Sequence, residues 1–160
     1  MVERARARRF LTTLAACALL AVASAAAASA ANGASVRGSG WIVPARDARL
    51  PGADGRTAAR FSVEARAATA PGRRPAGKVE LRYGSFRVHA VTVDAVEVAG
   101  SNGNVRGLAQ VDGRAGFLVY RLETHGNRLT LSLWPIGNYA GGPLYRASGD
   151  VAGGRIQLAG

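Results

Sequence analysis

From about residue 60 onward, apolar and polar residues alternate with a period of two. Phe61, Val63 and Ala65 alternate with Ser62, Glu64 and Arg66. Val79, Leu81 and Tyr83 alternate with Glu80 and Arg82, and Phe86 and Val88 with Arg87 and His89. Leu129, Leu131 and Leu133 alternate with Arg128, Thr130 and Ser132. A strand sends successive side chains to opposite faces, so each segment predicts a strand with one apolar and one wet face. Sheets wetted on one side are typically antiparallel. The phase slips between Val91 and Val98. Val91 and Val93 share one face, and Val96 and Val98 fall on the other. A bulge or bend near Asp94-Ala95 is expected to return both pairs to the core.

Turn chemistry separates the alternating segments. Pro51-Gly52-Ala53-Asp54-Gly55 and Pro71-Gly72-Arg73-Arg74-Pro75 read as loops. Gly100-Ser101-Asn102-Gly103-Asn104, Val111-Asp112-Gly113 and His125-Gly126-Asn127 read as hairpin turns, because Asn-Gly and Asp-Gly supply positive φ. Residues 137–143 form a longer loop, and Gly153-Gly154 reads as a last turn before Arg155-Ile156-Gln157-Leu158. No segment after residue 30 has the pattern of a long amphipathic helix. The expected fold is all-β, a single antiparallel barrel or sandwich of about eight to ten short strands.

The N-terminal segment differs in kind. Arg4, Arg6, Arg8 and Arg9 precede an uncharged Ala- and Leu-rich run from Phe10 to Ala30. A basic start, an apolar middle and a small-residue exit predict a secretory signal peptide over 1–30 and a single domain over 31–160. Cleavage is expected after Ala30, although Ala23-Ser24-Ala25 also offers a small-x-small exit. Two other readings compete. The apolar run is about long enough to span a bilayer as a retained anchor. Leu14-Ala15-Ala16-Cys17 also resembles a lipobox, but the chain stays apolar after Cys17. The expected location is therefore secreted or periplasmic, with a lipoprotein as the lesser alternative. The chain has 1 cysteine, Cys17, so no disulfide staples the domain.

The chain carries 21 Lys+Arg against 10 Asp+Glu. Setting aside the four signal arginines and Glu3 leaves 17 against 9, a net of +8. One reading is an anionic partner such as an envelope polymer or glycan. The other is arginine usage in a GC-rich genome, because the arginines are spread along the chain and not gathered in one block.

Candidate chemistry is sparse. The only histidines, His89 and His125, are far apart, and no G-x-S-x-G elbow exists. His89 is expected to bond a neighbouring strand or loop. Without cysteine in the domain and without clustered ligands, no metal site is expected, and no cofactor motif is present. Asp94 and Glu97 are three apart on a strand and so point to opposite faces unless a bulge realigns them. Gly100 to Asn104 joins two strands, whereas a phosphate loop must open a helix. Trp41, Trp134 and Tyr139 could form a platform for a sugar or base, although large aromatics more often fill a core or plug a barrel. The candidate ligand contacts are Arg73, Arg74, Trp134, Tyr139 and Arg146, with the Trp134-Pro135 stretch foremost.

Several stretches together resemble the post-COAP family of small bacterial secreted β domains. They are Gly38-Ser39-Gly40-Trp41-Ile42, Phe61-Ser62-Val63, and Pro75-Ala76-Gly77-Lys78-Val79-Glu80-Leu81-Arg82-Tyr83. Val88-His89 follows, then Val93, Val96, Val98 and Gly100, then Gly107, Val111-Asp112-Gly113 and Phe117-Leu118-Val119. The stretch from Gly149 to Leu158, with Gly153, Gly154 and Gln157, matches the family's G-G-x-I-Q ending. His89, Gly153, Gly154 and Gln157 are thus the family-motif positions. The chain departs from the family twice. Ala159 stands near a frequent histidine, and an acidic loop is reduced to Thr124-His125-Gly126-Asn127. The resemblance implies the fold and export and leaves activity open. The expected function is a non-catalytic binding or structural role at the bacterial envelope or outside the cell, as a monomer that neither spans the membrane after cleavage nor binds specific nucleic acid. Two alternatives remain: a small enzyme with its site in the barrel mouth, and a periplasmic inhibitor or accessory protein that docks a protein partner. An exposed apolar patch would favour the second of these.

Overall fold

The computed structural model describes residues 33–160. The expected signal segment 1–30 and Cys17 lie outside the described residues. Nine strands follow in order: β1 (Ser35–Ile42), β2 (Ala59–Arg66), β3 (Ala76–Tyr83), β4 (Phe86–Ala90), β5 (Ala95–Ala99), β6 (Asn102–Val111), β7 (Leu118–His125), β8 (Arg128–Pro135) and β9 (Tyr145–Ala159). Among the described residues there is no helix, hence none long and apolar enough to cross a membrane.

The strands pair antiparallel from β1 to β4 and from β6 to β9. Strand β9 returns to β1, and β4 pairs with β6, which closes an eight-stranded barrel. Closure leaves few free edges, as an exposed antiparallel sheet requires. The ninth strand, β5, follows β4 along the same edge of β6.

The phase slip read from the valines is a real irregularity. From Val88 to Ala95 the chain advances seven residues while its partners on β6 span five, Val111 to Arg106, so two residues are extra. The amides of Val91 and Thr92 both donate to the Leu108 carbonyl, at 2.7 and 3.1 Å. The Leu108 amide donates to the Thr92 hydroxyl at 3.0 Å. This bulge lies nearer Val91 than the expected Asp94-Ala95 position. It consequently buries Val93 and Val96 and leaves Val91 exposed.

Gly153-Gly154 is not a turn. Strand β9 runs unbroken through it, pairing with β8 over its first six residues and with β1 over the rest. One extra residue, Ala152, lies between the pairs Ile42↔Val151 and Trp41↔Gly153. The bulge bends β9 from one neighbour to the other. Gly154 has φ +91° and packs against the Ser39 carbonyl, where a β-carbon would collide.

Inward positions fill the barrel. Val36, Ile42, Val79, Val105, Leu118, Tyr120, Leu122, Leu129, Leu131 and Leu133 are almost wholly buried. Burying each such side chain contributes about 1.5–3 kcal/mol relative to exposure. At the end where β6 starts, Gly103 meets Val36, Thr124 and Leu158, so strands from opposite walls nearly touch. At the other end the loop 43–58 is tied down by Tyr83, whose hydroxyl donates to the Gly52 carbonyl at 3.1 Å and to Asp54 at 3.2 Å. Neither tryptophan plugs the barrel. Trp41 is 45% exposed on the outer wall, and Trp134 is half-buried there, because both fall in the outward phase of their strands.

Candidate binding surface

With the interior filled by apolar side chains, polar chemistry gathers on the outer wall. Outward positions of β1 to β4 form rows, since directly paired residues share a face. The register sets Trp41 opposite Arg60, Arg60 opposite Arg82, and Arg82 opposite Arg87. All four are exposed. Strands lie about 4.8 Å apart, so the row crosses roughly 14 Å of sheet.

The ion pairs elsewhere on the surface bypass this row. Arg66 meets Glu64 at 3.2 Å, Arg106 meets Glu97 at 2.6 Å, Arg121 meets Glu123 at 3.0 Å and Arg128 meets Asp150 at 3.5 Å. Among the described residues no carboxylate lies within ion-pair distance of Arg60, Arg82 or Arg87. The next row contains Ser39, Ser62, Glu80 and His89, with Arg155 opposite Ser39. A third row contains Gln157, Arg37, Glu64 and Lys78. A shallow depression of about 490 Å³ lies over the first two rows, bounded by Arg60, Glu80, Arg82, Arg87, His89 and Asp112.

Trp41 terminates the arginine row. Its six-membered ring lies on Gly153, in the space a side chain there would occupy. Gly153 and Gly154 therefore have a local reason. Gly153 seats the indole, and Gly154 lets β9 pass close to β1. Gln157 is exposed on the same wall, opposite Arg37. His89 is half-buried, with Nδ1 3.7 Å from Oδ1 of Asp112. Ser62 stands two strands from His89, about 10 Å away with Glu80 between them, which is beyond nucleophile–base contact.

A second outer surface is apolar. Leu108, Val119 and Trp134 lie in register across β6, β7 and β8. Phe117, Ile136 and Tyr139, in the adjoining loops, are 48%, 61% and 57% exposed. The Trp134 and Tyr139 rings are 6.5 Å apart and inclined at 50°.

The ligand contacts expected from the sequence do not converge. Arg73 and Arg74 are exposed in the β2–β3 loop, at the barrel end where β6 starts. Trp134, Tyr139 and Arg146 lie toward the opposite end, with Arg146 bonded through its backbone to Arg49 at 2.9 and 3.1 Å. Strand direction separates the two groups, because β2 and β8 finish at opposite ends. Arg60, Arg82 and Arg87 were legible only as outward residues of three alternating segments. Their alignment depends on register.

Two buried groups are polar without serving a site. The Tyr120 hydroxyl has no hydrogen-bond partner, and burial, with Asp94 nearby, pushes its pKa well above the usual phenol range. Thr124 is buried and accepts the Gly103 amide at 3.0 Å. Among the described residues no group of three His, Cys, Asp or Glu comes together to hold a metal ion. No protein-family model matches the chain, and neither a curated protein nor a solved structure is significantly similar to it.

Proposed function

We propose that the protein is an exported, non-catalytic β-barrel domain that acts by binding through its outer wall, at the bacterial envelope or outside the cell. The observation that carries this reading is the division of the barrel. Its interior is packed with Tyr120 and the β7 and β8 leucines, and its arginines and both tryptophans face outward. A mouth enzyme needs a pocket among converging groups. Here His89 and Asp112 meet on the open wall, each side chain nearly half exposed.

The test uses the domain from Ala31 as bait against cell-envelope extract at low and moderate salt. Retention of a polymer or protein at moderate salt is the expected result. Retention only at low salt reduces the basic surface to non-specific attraction. No retention in either condition overturns the binding reading. The apolar row of Leu108, Val119 and Trp134, with exposed Phe117 and Ile136, favours a second reading in which the domain docks a protein partner.

A further inference from the structure

We infer that the row Trp41–Arg60–Arg82–Arg87 is a docking track for an acidic polysaccharide, one whose sugar rings carry carboxylates. The inference rests on the outer-wall binding reading and names its ligand class.

The first support is charge. Three exposed arginines stand side by side on adjacent strands, and among the described residues none has a carboxylate within ion-pair distance. Like charges opposite one another on a sheet are unfavourable, so the row costs the free domain some stability, and an anion relieves that cost. Guanidinium groups present a planar fork that holds a carboxylate by two hydrogen bonds. Glu80, His89 and Arg155 stand in the neighbouring row, and Asp112, whose amide bonds the Arg87 carbonyl at 3.0 Å, ends the arginine row. Glu80 borders the basic strip on one side.

The second support is spacing. The step from strand to strand is about 4.8 Å, close to the length of one pyranose unit in an extended chain. A polymer lying across the strands therefore offers successive acidic groups to successive arginines. The wall is shallow over the row, which suits a linear chain better than a small molecule.

The third support is Trp41. It closes one end of the row, lies over Gly153 and keeps 45% of its surface exposed. An exposed indole at this place offers a stacking surface for the apolar face of a sugar. Single-stranded nucleic acid is the weaker fit, because its tracks interleave several aromatics with the basic residues. This row contains one aromatic, at its end.

The test is a calorimetric titration of the folded domain with a polygalacturonate oligosaccharide. Neutral dextran, polyphosphate and single-stranded DNA serve as comparison probes. Arg60→Gln, Arg82→Gln and Arg87→Gln are each expected to weaken polygalacturonate binding by roughly three- to tenfold. Trp41→Ala is expected to weaken it similarly and Trp41→Phe to restore most of it. Arg128→Gln removes the same charge from the opposite wall and should leave the affinity within about twofold. An equal loss in Arg128→Gln reduces the effect to net charge and overturns the inference. So does absence of polygalacturonate binding, or tighter binding of polyphosphate or DNA. An envelope capture with the triple arginine variant separates this failure from that of the broader reading. If the triple variant retains what the unsubstituted domain retains, the track is wrong and outer-wall binding stands. Thermal melts show that each variant is folded.

Discussion

The indole of Trp41 occupies the place of a side chain on Gly153, while the next residue, Gly154, is confined by the Ser39 backbone. The two glycines therefore differ in what they tolerate. Gly153 needs no left-handed backbone, and the atoms that a methyl group would meet belong to an exposed ring that can move. Gly153→Ala is expected to change stability by less than about 1 kcal/mol and to shift the Trp41 emission spectrum as the ring is displaced. Gly154→Ala places a β-carbon at φ +91° against a carbonyl that cannot move without breaking the β1–β9 ladder. It is expected to cost about 2–4 kcal/mol. Chemical denaturation of the two variants checks the contrast, and equal losses would refute it.

Gly107 and Thr92 form a comparable pair. The Thr92 carbonyl lies where a Gly107 side chain would be, and the Tyr120 ring closes the remaining space. The bulge that buries Val93 and Val96 thus needs a glycine on the facing strand. Gly107→Ala is expected to destabilise the domain by about 1–3 kcal/mol. Hydrogen exchange of the Val91 and Thr92 amides, both bonded to Leu108, should accelerate by more than the global loss alone explains. Unchanged relative protection there would show that the bulge adapts in some other way.

These pairs show how far the sequence could be read. The alternation at Phe61–Val63–Ala65 and Leu129–Leu131–Leu133 is imposed by the barrel interior, so those strands and their buried faces were legible. The valine phase slip marked the bulge for the same reason. Gly153-Gly154 misled because paired glycines signal a turn by local chemistry. Here the requirement comes from β1, more than 100 residues earlier in the chain. The arginine row was illegible in principle. Arg60 and Arg82 are outward by phase, but only the pairing of β2 with β3, across the loop 67–75, makes them neighbours. Arg73 and Arg146 illustrate the converse, since exposure is readable from sequence and distance between exposed residues is not.

Asp54 gives the stability a pH dependence. Its carboxylate accepts the Thr57 amide at 2.7 Å, the Arg56 amide at 2.8 Å, the Thr57 hydroxyl at 2.8 Å and the Tyr83 hydroxyl at 3.2 Å. These bonds, led by the Thr57 amide, hold its pKa far below the usual carboxylate range. A folded-state pKa below the unfolded one adds stability above the unfolded value, 3.8, and withdraws it as pH falls toward the folded value. Asp54→Ala should therefore be less stable than the parent near neutral pH, with the gap narrowing below about pH 4. Denaturant titrations across that range check the sign. A gap that widened in acid would show that the turn does not depend on the ionised carboxylate.

Two buried hydroxyls should respond in opposite directions. Thr124 accepts the Gly103 amide at the pinched end of the barrel. Thr124→Val keeps the volume and orphans that amide, and is expected to cost about 1–3 kcal/mol. The Tyr120 hydroxyl is buried without a partner, so the folded state already bears its desolvation. Tyr120→Phe removes the unsatisfied group and leaves the ring against Gly107, and is expected to leave stability unchanged or raise it by up to about 1 kcal/mol. Melting both variants beside the parent decides the matter. A marked loss in Tyr120→Phe would mean that the phenol has a partner in solution, and a neutral Thr124→Val would mean that the Gly103 amide finds another acceptor.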